Sequence, residues 1–238
     1  MLAIYIAMEA EAAGLLTELN ARPLADEPAI GNYYEASFQG SPLILATSGK
    51  DRATGVCCVG TEPAALVANE LIAHHGVSTL LNAGTCGAHS SLEADIAEAF
   101  LVHPTLSYHD HRIPLPGFLD YGLGRHPAAD LVPQLAAQLG VRTASLSTGN
   151  SLDHVDRDMD IFLSNGAHLK DMEGAALAWV CRQHQVPLMA LKVVTDIFDL
   201  PHPAAEQFEK NLAAASLEVT RTTLRLLASL LPRLEDPE

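Results

Sequence analysis

Short apolar runs alternate along this chain with stretches whose apolar residues recur every three or four positions. Leu2 to Ala7 is the first run. Glu9 to Leu19 follows with Ala12, Leu15, Leu16 and Leu19 on one side, which predicts a strand and then an amphipathic helix. Residues 21–32 carry Pro and Gly and read as a loop. Tyr33 to Phe38 and Pro42 to Thr47 flank Gly40-Ser41, the pattern of a hairpin. The glycine-bearing stretch Ser48 to Thr61 is less regular, with a strand expected through Gly55 to Val59. Thr61 reads as the cap of a helix that has Pro63 in its first turn and ends before Gly76.

Val77 to Ala83 is a second buried-strand pattern, running into Asn82-Ala83-Gly84-Thr85-Cys86-Gly87. Asp95 to Val102 reads as a strand leading to a His- and Pro-rich loop, Tyr108 to Tyr121. A helix over Ala128 to Leu139, a strand over Thr143 to Ser147 and a helix over Asp156 to Asn165 follow. Asp171, Met172 and Glu173 stand where a helix begins, with Leu177, Val180 and Cys181 at helical spacing behind them. Val186 to Val194 is an almost unbroken apolar run, which suits a strand buried on both faces. Pro203 to Leu231 is helical, with a charged tail beyond it. Strands alternating with helices, plus one hairpin, predict an α/β fold: a single domain over residues 1–238 with a mixed central sheet flanked by helices.

Composition narrows the classes. The chain has 238 residues, 48% of them hydrophobic, enough for one full core. A formal net charge of −15 argues against a nucleic-acid or anionic membrane partner. Cys57, Cys58, Cys86 and Cys181 form neither CxxC nor Cys/His metal spacing. Together with an N-terminus that lacks a signal-peptide pattern, they predict reduced thiols in a cytoplasmic protein.

Strand ends supply the candidate chemistry, since ligands of α/β proteins bind at the C-terminal ends of their strands. Asp196 directly ends the last apolar run, after Thr195, and Glu11 follows the first. Glu173 stands at a helix start. Each has an ordinary structural account: Glu11 and Glu173 as dipole-favoured first-turn residues, Asp196 as a helix cap. Gly84-Thr85-Cys86-Gly87 reads foremost as a tight turn. His109-Asp110-His111 resembles a metal pair but has no third ligand, and His74-His75 fits a helix C-terminus. Lys192, alone in an apolar strand, requires a carboxylate or solvent. Spacing alone thus reaches an α/β domain with a carboxylate-lined site.

Six segments in this order resemble a known family: AMEAEA (Ala7 to Ala12), NAGTCG (Asn82 to Gly87), YHDHRIPLP (Tyr108 to Pro116), STGNSLD (Ser147 to Asp153), KDMEGAALA (Lys170 to Ala178) and LKVVTDIFD (Leu191 to Asp199). They resemble the 5′-methylthioadenosine nucleosidases of the nucleoside phosphorylase superfamily. The likeness runs from the first strand through Phe208. SGKDRATGV (Ser48 to Val56) and VGTEPAALVA (Val59 to Ala68) are similar to the plant-type branch.

The resemblance implies hydrolysis of the N-glycosidic bond of 5′-methylthioadenosine, and of S-adenosylhomocysteine in some members, in methionine salvage. Glu11 is then the general base for water and Asp196 the acid that protonates adenine at N7. Glu173 holds the ribose hydroxyls and Met172 packs beneath the sugar. Thr85 and Gly87 line the ribose and leaving-group side, and Leu152 and Asp153 the purine segment. Lys170 matches the KDME segment, Thr195 supports Asp196, and Lys192 orients Glu11. No metal or cofactor is implied. A homodimer is, with Ile113 and Leu115 reaching the partner's pocket. Asn150 stands where the family has aspartate, and Ala88 where it has glycine. The alternatives are a purine nucleoside phosphorylase and a catalytically silent nucleoside-binding protein of the same fold.

Overall fold

Apolar β1 (Leu2–Tyr5) opens the chain and leads into α1 (Glu9–Glu18), whose Ala12 and Leu15 turn inward. The computed structural model describes residues 1–24 and 30–235. The loop expected over residues 21–32 therefore lies partly outside the described residues, as do residues 236–238 of the expected tail. A two-residue strand, β2 (Arg22–Pro23), pairs with the hairpin of β3 (Asn32–Phe38) and β4 (Ser41–Thr47). The hairpin turn has Gln39 and Gly40 both at positive φ, 51° and 94°, the twist that matches flanking strands.

The expected strand through Gly55 to Val59 does not form. Residues 48–60 are irregular, with a lone bridge between Lys50 and Cys57. α2 (Thr61–His75) follows, closed by Gly76 at φ 63°. β5 (Thr79–Ala88) runs straight through Gly84 to Gly87, so these residues are extended and not a turn. β6 (Ala99–Tyr108) starts later than the pattern indicated, and short α3 (Leu119–Leu123) lies within the His- and Pro-rich loop. β7 (His126–Pro127), α4 (Val132–Leu139), β8 (Arg142–Thr148) and α5 (Asp156–Ser164) follow. Then comes β9 (Leu169–Asp171), a three-residue strand that no periodicity could reveal. α6 (Gly174–His184), β10 (Leu188–Ile197) and the 32-residue α7 (Ala204–Glu235) complete the chain. α7 continues one turn beyond the expected Leu231.

Strand pairing makes the site. β5 pairs with β10, β10 with β6, β6 with β8, β8 with β9, and β9 returns to β5, so five strands close a ring. From the ring the sheet extends through β1, β4, β3 and β2. β1 covers one edge of β5 from Thr79 to Asn82, and β9 covers the same edge only at Gly87 and Ala88. Gly84, Thr85 and Cys86 lie in the fork between them. The mixed sheet with flanking helices agrees with the expected fold class.

One large core follows from the patterning. Leu80, Leu81, Leu191, Val193 and Val194 are fully buried, as strands covered on both faces require. α7 contributes Ala215, Val219, Leu226, Leu227 and Leu230 to the same cluster. No described helix is long and apolar enough to cross a membrane.

Candidate active site

The fork in the sheet is the mouth of a cavity of about 260 Å³. Thr85 has no strand partner on this edge, so its backbone N–H is free to face the first helix. It donates to Glu11 Oε1 at 2.9 Å, and Thr85 Oγ1 donates to the same oxygen at 2.5 Å. Glu11 Oε2 reaches back to the Met8 N–H at 3.4 Å, the reciprocal half of a helix-start box. Glu11 is 4% exposed, and its carboxylate is thereby fixed by both the helix and the strand.

Asp196 approaches from the other edge of β5. The register between β10 and β5 shifts between Val194 and Asp196, an irregularity of the kind that re-aims a side chain. Asp196 Oδ1 accepts from Thr195 Oγ1 at 2.8 Å. Burial pushes the Asp196 carboxyl above the usual aspartate range, while the Thr195 hydroxyl and the Lys170 charge pull it down. A Cβ on Gly87 would lie 2.8 Å from Asp196 Oδ2, so this glycine makes room for the carboxylate. Lys170, itself buried, donates to the carbonyls of Leu152 and Asp153 and sits 5.6 Å from the Phe198 ring centroid. Burial lowers its ammonium below the usual lysine range, against the raising influence of Asp196.

Glu173 caps α6 at 7% exposure and accepts the Gly60 N–H on Oε1 at 2.9 Å. Burial first, and the neighbouring Asp171 second, push its carboxyl up to about 7, against Lys192 and the Gly60 hydrogen bond. Asp171 belongs to β9 rather than to a helix start. Its Oδ2 accepts from the Gly174 N–H at 2.8 Å and meets Lys192 Nζ at 2.8 Å, and its Oδ1 accepts from Thr148 Oγ1 at 2.6 Å. Lys192, expected to orient Glu11, has its ion pair with Asp171, which ring closure carries to the ladder holding Lys192, while Glu11 accepts from Thr85. A Cβ on Gly84 would lie 3.7 Å from Glu11 Oε1 and 3.9 Å from Lys192 Nζ, so the two side chains flank the same glycine. Burial would lower the Lys192 ammonium, but Asp171 and Glu173 more than offset it and raise it.

The cavity wall thus gathers Glu11, Thr85, Gly87, Leu152, Lys170, Met172, Glu173, Thr195 and Asp196. Asp153 gives its carbonyl to Lys170 without lining the wall, and Lys192 stands behind Asp171. Sequence reasoning missed Asp171 as an anchor, and Val59 and Phe208 as wall residues. Val59 and Phe208 lie within or at the end of the family likeness, which was the available signal. Ile113 lines a different hollow, beside Trp179 and Tyr121, and Leu115 is exposed. His109 Nδ1 lies 3.1 Å from Ser147 Oγ and His111 stacks on Tyr108 at 3.9 Å. Among the described residues no group of three or more His, Cys, Asp or Glu is placed to hold a metal ion.

The fold and site define an α/β protein with a largely apolar pocket lined by the buried carboxylates of Glu11, Asp171, Glu173 and Asp196, a concavity of the kind that takes a small molecule. The sequence model of the Phosphorylase superfamily matches residues 1–228, and the chain belongs to that superfamily. It is 38% identical over 224 residues to a 5′-methylthioadenosine nucleosidase of Arabidopsis thaliana, covering 91% of this chain and 83% of that protein. It is 34% identical over 226 residues to a 5′-methylthioadenosine/S-adenosylhomocysteine nucleosidase of the same plant, covering 93% and 88%. A crystal structure of an MTA/SAH nucleosidase superposes with a TM-score of 0.92 at 32% identity, over 95% of this chain and 94% of that one. The resemblance carried by the six sequence segments agrees with these relatives.

Proposed function

We propose that this protein hydrolyses the N-glycosidic bond of 5′-methylthioadenosine, releasing adenine and 5-methylthioribose, in cytoplasmic methionine salvage. The observation that carries this reading is the convergence of Glu11, Glu173 and Asp196, from three different elements, on one cavity. Breaking the bond leaves positive charge on the ribose, and adenine departs readily only when N7 is protonated. Asp196, pushed up by burial, is the acid for N7. Glu11, fixed across the fork, orients and deprotonates the attacking water and faces the developing cation. Glu173 accepts from the ribose hydroxyls, positioning the sugar above Met172. This division of labour uses no metal or cofactor.

Phosphorolysis is disfavoured by the same geometry. The two lysines nearest the cavity are committed, Lys170 to carbonyls and Lys192 to Asp171. The first turn of α1 carries Glu9 and Glu11, which repel a phosphate dianion. A homodimer is part of the proposal. Leu115, Phe118, Leu119 and Tyr121 are exposed on one loop, near Trp179 of α6, and an apolar surface of this kind is covered when a second copy docks. In that dimer Ile113 and Leu115 approach the partner's pocket.

The test is adenine release from 5′-methylthioadenosine, without and then with added phosphate, for the wild type and Asp196→Asn. Release in phosphate-free buffer that falls on the order of 10²–10⁴ in the variant supports the reading. Release only with phosphate overturns the role of Glu11, and release in neither buffer overturns the substrate.

A further inference from the structure

One side chain joins the loop after β8 to the first turn of α2, and the chemistry proposed above leaves it unused. Asn150 Oδ1 accepts the Thr61 backbone N–H at 2.9 Å, and Asn150 Nδ2 donates to Thr61 Oγ1 at 2.7 Å. The backbone N–H of Asn150 donates to Asp110 Oδ2 at 2.7 Å. One peptide earlier, the Gly60 N–H donates to Glu173 Oε1 at 2.9 Å. Gly60 sits at φ 105°, where an L side chain is strained, and a Cβ there would lie 2.8 Å from Asn150 Oδ1. Two successive N–H groups at the start of a 15-residue helix are therefore taken by two side chains, one of them in the cavity wall.

We propose that Asn150 is a positioning residue for Glu173. It clamps the first turn of α2, so that the Gly60 N–H stays on the carboxylate, and through Asp110 it anchors that clamp to the loop after β6. The proposal rests on reading Glu173 as the ribose-binding carboxylate. An amide suits the position because Thr61 offers both an N–H to be accepted and a hydroxyl to be donated to. Its neutrality matters too. The Thr61 hydroxyl also lies 3.0 Å from Glu62 Oε2, and Asp110 stands on the other side, so a neutral clamp adds no further like charge.

Two measurements test it. In the first, kcat/KM is compared for the wild type, Asn150→Ala, Glu173→Gln and the double variant, with Asn150→Asp as the form that keeps the acceptor. Removing the clamp is expected to lower kcat/KM roughly five- to thirtyfold, chiefly through KM, in line with the loss of a helix cap. Asn150→Asp, which keeps the acceptor for the Thr61 N–H but adds a charge near Glu62 and Asp110, should recover part of that loss. The double variant should be within about twofold of Glu173→Gln alone, since a residue acting through Glu173 has nothing left to position. Losses that multiply in the double variant overturn the proposal. In the second, hydrogen exchange at the Gly60 amide is compared in the wild type and Asn150→Ala without substrate. Faster exchange in the variant supports the clamp and equal exchange overturns it. Because exchange needs no substrate, a wild type that releases no adenine would sink the hydrolytic reading while the exchange comparison still decides the clamp.

Discussion

Lys192 Nζ and Asp171 Oδ2 meet at 2.8 Å with both side chains essentially out of solvent, joining β10 to the three-residue β9 beneath the cavity. A buried pair of this kind is weak evidence for net stability, yet breaking it leaves one charge stranded. Lys192→Met is expected to lower unfolding stability by about 3–5 kcal/mol in urea titrations. Adding Asp171→Asn to that variant should recover much of the loss by removing the stranded charge. A single variant as stable as the wild type would mean that the pair contributes nothing.

Glu173 gives a pH signature of its own. Its carboxyl ionises near 4.5 in the unfolded chain and is pushed up to about 7 when folded. Between those values the folded state binds more protons, so this group's contribution is full below about 4.5 and is lost as pH rises through about 7. Glu173→Gln removes that dependence. The variant should gain stability relative to the wild type between pH 5 and 8, on the order of 1–3 kcal/mol at the upper end, while losing activity. Parallel stability–pH curves for the two proteins would refute the assignment.

Thr195 Oγ1 lies 2.8 Å from Asp196 Oδ1 and 3.1 Å from the Cys86 carbonyl, and its hydrogen bond lowers the Asp196 carboxyl. Thr195→Val removes a bond that favours the ionised form, so Asp196 should move further up. If Asp196 is the acid, activity falls as pH rises past its ionisation, and the variant's falling limb should shift to higher pH. A limb that stays in place, or moves down, contradicts the acid role.

Gly87 is extended, so Gly87→Ala brings no backbone strain. The added Cβ would stand 2.8 Å from Asp196 Oδ2 and 3.0 Å from Phe198 Cδ1. Displacing the proposed acid by a fraction of an ångström should lower kcat roughly 10–10²-fold, with thermal unfolding little changed. Unchanged kcat would show that Asp196 tolerates displacement and that its placement is not limiting.

Much of this molecule is written in local pattern. The apolar runs at Leu2, Thr79 and Leu188, the stripe of α7 and the hairpin around Gly40 each follow from side chains a few positions apart. Asp196 at the end of a strand and Glu11 in the first turn of the helix after one are equally local positions, readable from the chain for that reason. Where periodicity had too few residues to act on, at β9 and in the glycine-bearing segment 48–60, the reading lapsed.

The sequence by itself determined the alternation of elements, the α/β class and the three carboxylates on offer. Tertiary structure alone decided whom they meet. Glu173 takes its hydrogen bond from Gly60, 113 residues away, and Thr85 reaches Glu11 across 74. Lys192 pairs with Asp171 because ring closure carries β9 to the edge of β5, and Gly84 to Gly87 stay extended because β10 binds them. Hydrophobic periodicity is a property of neighbours in the chain, whereas an ion pair or a lone N–H is satisfied by whatever the sheet's register brings within 3 Å.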